Sequence, residues 1–236
     1  MMSLTDLATA LPRVHDRRSV TYAIDLRLAE FLNGHISAKH VTLETGSGLS
    51  TLVFARKGVR RHISIQPFAD EFLVLRDFCA SADIDFGCVE SVVARSQDYL
   101  PTAKLPDLDL VLIDGEHTFP IPFIDWYYTA DSLKVGGLMV VDDVDIATGT
   151  LLAAFMTADH KWREVHRDRH SRFAIYSKLE HPIHDGSWWR QQLLSASHPT
   201  SDVRFIRQRS YPRVHPVRVA AAVKRRVAGL ARRLAK

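Results

Sequence analysis

Short apolar runs that end abruptly in acid give this chain its character. Leu112-Ile113 leads into Asp114-Gly115-Glu116-His117, and Val140-Val141 leads into Asp142-Asp143. A strand buried on both faces of a parallel sheet reads as a near-continuous apolar run, so an acid closing the run falls at the carboxyl edge of the sheet. Val41-Thr42-Leu43-Glu44 is a first strand of this kind, His62-Ile63-Ser64-Ile65-Gln66 a second, Phe86 to Val93 a third, Leu108 to Asp114 a fourth and Leu138 to Asp143 a fifth. Helical spacing of apolar residues lies before and between them. It runs over Tyr22 to Leu32, from the glycine turn to about Lys57 with Gly58 as the stop, after Pro67 as the opening residue, and over Phe123 to Leu133. Trp162 to His166 and Arg172 to Ser177 read as a closing antiparallel hairpin. Alternating strands and helices predict an α/β fold, a doubly wound and mostly parallel sheet with helices on both faces.

In such a sheet, ligands bind in the crevice outside the carboxyl ends of the strands. Asp114, Asp142, Asp143 and His117 are therefore expected to face one small volume. Three crowded acids require a cation, a proton or a cationic substrate among them. The turn Glu44-Thr45-Gly46-Ser47-Gly48-Leu49-Ser50 joins the first strand to its helix, where glycines permit a tight turn and close approach of a ligand to backbone amides. A dinucleotide fingerprint would carry a third glycine where Thr51 stands, which disfavours a dehydrogenase.

These stretches together resemble class I S-adenosylmethionine-dependent methyltransferases. The order is Glu44-x-Gly46-x-Gly48-x-Ser50, then Ile113-Asp114-Gly115-x-His117-x-Phe119, then Leu133-Lys134-x-Gly136-Gly137-Leu138-x-Val140-Val141-Asp142-Asp143. Within that class the chain is most similar to the catechol and macrolide-sugar O-methyltransferase group, over roughly residues 20–178. The resemblance implies a Rossmann-like sheet of seven strands ending in an antiparallel hairpin. It places the methionine half of S-adenosylmethionine on the glycine turn, with Gly46, Ser47, Gly48 and Ser50 around it, Glu44 beside its amino group, and Asp114 in the same pocket. A sulfonium and an ammonium are both favoured near carboxylates. The second strand of such enzymes ends in an acid that accepts hydrogen bonds from the ribose hydroxyls; here Gln66 stands in that place. Loss of the charge-assisted bonds is expected to cost about 1–2 kcal/mol of cofactor affinity.

Two readings of the acids follow. In metal-dependent relatives, acids at the positions of Asp114, Asp142 and Asp143 hold Mg²⁺, which orients the acceptor hydroxyl and lowers its pKa. In the other reading Asp114 lines the cofactor pocket, one of Asp142 and Asp143 caps the next helix, and no metal binds. His117, in the loop that substrate approaches, is the candidate general base, and Asp114 is the other candidate catalytic residue.

Charge divides the chain. From Arg204 to Lys236 there are eleven Lys or Arg residues and no Asp or Glu, so against a whole-chain charge of +4 residues 1–203 carry −7. An acidic body argues against specific nucleic-acid binding at the catalytic face. The basic stretch contains Ala220, Val223, Val227, Leu230 and Leu234 at helical intervals. It reads as an amphipathic helix over about 214–235, suited to peripheral contact of 214–236 with an anionic membrane or to pairing with another helix. With two cysteines, no signal peptide and no apolar run long enough to cross a bilayer, a cytoplasmic location at or near the inner membrane face is expected. The organisation is thus a methyltransferase-like domain over 1–180 and an extension over 181–236. The expected activity is O-methylation of a small-molecule or glycan-like hydroxyl acceptor. The alternative is a non-catalytic scaffold that acts through its basic tail.

Overall fold

The computed structural model describes residues 2–12, 24–167 and 172–184. Seven strands form a single sheet: β1 (Val41–Thr45), β2 (Arg61–Ile65), β3 (Val89–Val92), β4 (Leu108–Ile113), β5 (Leu133–Val141), β6 (Trp162–Arg167) and β7 (Ala174–Lys178). Their order is β3-β2-β1-β4-β5-β7-β6. Pairings are parallel from β3 through β5, and β7 runs antiparallel between β5 and β6. The chain crosses from one half of the sheet to the other between β1 and β4, which opens a crevice at their carboxyl ends.

Alternation along β4 shows how the sheet is buried on both sides. Val111 and Ile113 pack with Trp126 and Ala130 of α6 (Ile121–Ala130) and with Leu152 and Met156 of α7 (Ala147–Ala158). Leu110 and Leu112 face the opposite way, onto Leu28 and Leu32 of α2 (Leu26–His35) and Leu52 and Val53 of α3 (Leu49–Lys57). The remaining helices are α1 (Leu4–Ala10), α4 (Ala69–Ser81) and the short α5 (Ser96–Tyr99), which runs into a 3₁₀ turn over Leu100–Thr102. No helix among the described residues is long and apolar enough to cross a membrane.

Local chemistry sets several boundaries. Asp25 caps α2 by accepting the Arg27 amide at 2.8 Å, which starts that helix later than the apolar spacing from Tyr22 suggests. Gly58 ends α3 in the left-handed conformation, φ 55°. Pro67 precedes α4 without opening it; the helix begins at Ala69. α6 ends at Ala130, short of the Leu133 expected from its apolar residues, because Leu133 pairs with Leu108 as the first residue of β5. The register shifts between Leu108 and Leu110, so Gly136 and Gly137 lie within β5. The body also extends a few residues past 180. Ile183 is buried, and its amide donates to Asp131 Oδ1 at 2.6 Å. The basic helix expected over 214–235 lies outside the described residues.

Candidate active site

Sheet register brings the candidate residues together. Thr45 pairs with Ile113, and Ile113 pairs with Val141, so the next residues, Gly46, Asp114 and Asp142, stand side by side at the carboxyl edge. The ladder continues one residue past the strands. The Asp114 amide donates to Thr45 O at 3.2 Å, the Asp142 amide to Ile113 O at 3.0 Å, and the Gly46 amide to Ile65 O at 2.8 Å. A cavity of about 360 Å³ opens there, lined by Gly46, Ser47, Gln66, Asp114, His117, Asp142 and Asp143, together with Phe68, Arg95, Ser96, Gln97, Glu116 and Arg172.

Three residues expected around the cofactor stand behind the cavity wall instead. Glu44 is fully buried, and its Oε1 accepts from the hydroxyls of Thr51 at 2.5 Å and Ser64 at 2.8 Å. The Thr51 hydroxyl in turn accepts from the Gly48 amide at 2.9 Å. Glu44 therefore braces the glycine turn from beneath, with Oε2 buried and without a partner. Gly48 immediately precedes α3 and Ser50 lies buried in its first turn, neither of them on the cavity surface. For Glu44, alternation explains the displacement: it and Thr45 project to opposite faces of β1, and Thr45 lines the cavity.

Asp114 and Asp142 form a carboxyl pair. Burial, and then the charge of Asp142, hold the Asp114 carboxyl well above the usual range. Burial, and then Asp143, raise Asp142 to about 6. Like charges this close resist ionising together, so the pair keeps a proton to higher pH than an ordinary carboxylate would. Asp142 Oδ1 is buried without a partner.

Asp143 is engaged differently. It adopts a left-handed backbone, φ 49°. Its Oδ1 takes the guanidinium of Arg172, and its Oδ2 lies 3.1 Å from His117 Nε2. The imidazole stands farther from Asp114, at 4.0 Å. Burial lowers the His117 pKa below its ordinary value, with Asp143 opposing that shift, so the ring is neutral and able to accept a proton near neutral pH. Mg²⁺ does not fit this donor set. Among the described residues no group of three or more His, Cys, Asp or Glu side chains is arranged to hold a metal ion. The oxygens of Asp143 are directed at Arg172 and His117 rather than into a shared ligand shell with Asp114 and Asp142.

Other contributors were not legible as site residues. Gln66 donates from Nε2 to Glu71 Oε2 at 2.6 Å, and Ser47 Oγ lies 3.4 Å from the same nitrogen. A carboxylate thus sits directly behind the glutamine; the signal was the spacing of Gln66 and Glu71 across the start of α4. Asp125 on α6 is fully buried and faces the hydroxyls of Ser96 and Thr45, with neither oxygen in an aligned hydrogen bond. Arg95 and Glu116 approach to 3.7 Å at the cavity mouth. Arg172 comes from the segment before β7, and no local pattern marks it as part of a site formed by β4 and β5.

Residues 43–144 match the family model described as a methyltransferase domain. Among solved structures, the cofactor-bound Rv0187 protein from MTB is 23% identical with a TM-score of 0.57, over 73% of this chain and 85% of that one. The O-methyltransferase TomG from Streptomyces achromogenes, which acts in tomaymycin synthesis and was solved with S-adenosylmethionine, is 18% identical with a TM-score of 0.59, over 74% and 89%. A putative caffeoyl-CoA O-methyltransferase from Staphylococcus aureus is 12% identical with a TM-score of 0.58, over 75% and 93%. No curated protein matches the chain significantly. The chain is similar to class I S-adenosylmethionine-dependent methyltransferases, and its sheet, with the antiparallel β7 between β5 and β6, is theirs.

Proposed function

We propose that the chain is an S-adenosylmethionine-dependent O-methyltransferase acting on a small-molecule or glycan-like hydroxyl acceptor. The observation that carries this reading is the alignment of Gly46, Asp114 and Asp142 across three adjacent strands around one cavity. The buried, unpartnered Oδ1 of Asp142 suits a cationic ligand. Gly46 keeps the wall open at the turn, since a side chain there would run into the Asp114 carbonyl.

Bound S-adenosylmethionine supplies an electrophilic methyl group on a sulfonium. The chain's own residues do the rest. Gly46 and Ser47 offer the glycine-turn surface, and Gln66, anchored on Glu71, presents its amide to the ribose. The Asp114–Asp142 pair stabilises positive charge at the cavity floor. His117 removes the acceptor's hydroxyl proton. Small-molecule chemistry and a cytoplasmic location go with this reading. The O-methyltransferases among the structural neighbours support a hydroxyl acceptor, although an rRNA methylase from Streptococcus thermophilus shares the fold at a TM-score of 0.50.

Calorimetry tests the reading. Binding of S-adenosylmethionine and of its demethylated product with Kd below about 100 μM is expected. Binding of neither would instead support a scaffold that keeps the fold without turnover, for which Gln66 in place of an acid is the favouring observation.

A further inference from the structure

Asp143 is held from every side. Its left-handed backbone is uncommon for a residue with a side chain. The Val144 amide donates to Arg172 O at 2.6 Å, and the Ile146 amide donates to Asp143 O at 3.1 Å. At Gly149, in the first turn of α7, a Cβ would stand 2.3 Å from Asp143 O. Strained backbone persists where surrounding contacts over-determine it, and such positions gather at functional sites. Here the strain aims one carboxylate at two partners, the guanidinium of Arg172 and the imidazole of His117.

Resting on the methyl-transfer reading above, we infer that Asp143 and Arg172 are positioning residues that hold His117 as the general base without a metal ion. With its Oδ2 3.1 Å from His117 Nε2, the Asp143 carboxylate favours the tautomer that carries the proton on Nε2 and leaves Nδ1 as the ring's acceptor. Arg172 holds Asp143 in place and supplies the positive charge that a divalent cation would otherwise bring to this carboxylate. The groups facing the imidazole are Asp114 from the end of β4, Asp143 and Asp145 after β5, and Arg172 before β7. In the transfer, the acceptor's O–H proton passes to His117 Nδ1 and the oxygen bonds to the methyl carbon. The S–CH₃ bond breaks with its electron pair going to sulfur, and the imidazolium later releases the proton to water.

Nitrogen-15 NMR of the histidine rings in the full chain tests this without any acceptor, with the His117 signals assigned from His117→Gln. The wild type is expected to show His117 as the Nε2–H tautomer. Asp143→Ala is expected to bring that preference down to the partial one of a free imidazole, Arg172→Gln to weaken it less, and Arg172→Lys to keep most of it. Manganese(II) at millimolar concentration, added to the wild type alone, is expected to leave the His117 signals sharp. An unchanged tautomer in a folded Asp143→Ala, or manganese broadening centred on His117, would overturn the inference. Should Asp143→Ala not fold, Arg172→Gln and the manganese titration still decide. Calorimetry on the same samples separates the two readings. Cofactor binding together with manganese broadening removes the metal-free array and keeps methyl transfer. The expected tautomer without cofactor binding removes methyl transfer, and with it the catalytic role of the array.

Discussion

Gly46 lies against the backbone of Asp114: a Cβ built on the glycine would stand 2.3 Å from the Asp114 carbonyl oxygen and 3.1 Å from its carbonyl carbon. The glycine also has φ 94°, a region that side chains disfavour. The turn after β1 and the carboxylate after β4 are thus one packed unit, and only glycine fits the contact. Gly46→Ala is expected to destabilise the fold by about 2–4 kcal/mol, because backbone must shift as well as strain. Urea unfolding reads this as a lower midpoint, and an unchanged midpoint would show that the two turns are independent.

His117 lines the cavity without belonging to the glycine-turn surface. His117→Ala is expected to lower kcat by about 10²–10⁴. Cofactor Kd should move by less than about threefold, since the lost group acts in the transition state rather than in ground-state binding. Single-turnover kinetics beside calorimetry separates the two, and equal losses in both would assign His117 to cofactor binding.

Restoring an acid at the end of β2 should not help by itself. Gln66→Glu would set its carboxylate against Glu71, which now accepts from Gln66 Nε2 at 2.6 Å. Adding Glu71→Gln relieves that repulsion while keeping a donor behind the new acid. The double variant is expected to bind S-adenosylmethionine about tenfold more tightly than wild type, and Gln66→Glu alone no more tightly. Calorimetry on the three proteins checks the coupling.

Burial raises the Asp125 carboxyl to about 6, with the hydroxyls of Ser96 and Thr45 opposing the shift. Its unfolded value stays near the ordinary 3.8. The folded state therefore binds the extra proton between these values, and stability falls as pH rises through about 6. Asp125→Asn keeps the shape and removes the charge. It is expected to match wild type near pH 3.5 and to exceed it at pH 8 by on the order of 2 kcal/mol. Denaturant titrations at the two pH values measure the difference; a variant weaker at pH 8 would mean that the ionised carboxylate is stabilising.

Lys178 at the end of β7 is fully buried, and its Nζ donates to the carbonyls of Ala130 at 2.8 Å, Asp131 at 3.2 Å and Leu133 at 2.6 Å. These carbonyls lie at and just past the end of α6, where helix acceptors lack intrahelical donors. Lys178→Met fills the space but leaves the carbonyls unpaired, and is expected to cost about 2–4 kcal/mol of stability. Thermal unfolding reads the loss, and a neutral result would show that water reaches these carbonyls.

Much of this architecture was visible as pattern. Five parallel strands, the glycine turn and the acids at 114, 142 and 143 stand out because a strand buried on both faces must be apolar until it reaches the sheet edge. Helix ends were read less well. Leu133 has the character of a helix residue, yet pairing with Leu108 makes it the start of β5. Glu44 illustrates the harder limit. Its place in the motif points to the ligand, while the pleat of β1 turns it inward onto Thr51 and Ser64.

Local order along the chain thus determined the layered α/β class and the strand ends where charge gathers, since periodicity and turn chemistry act between near neighbours. Which partner each charge acquires was settled only in three dimensions. Arg172 reaches Asp143 because β7 inserts antiparallel beside β5, and Gly46 meets Asp114 because β4 pairs with β1. Pairing of this kind depends on distance across the sheet, a quantity that separation along the chain does not encode.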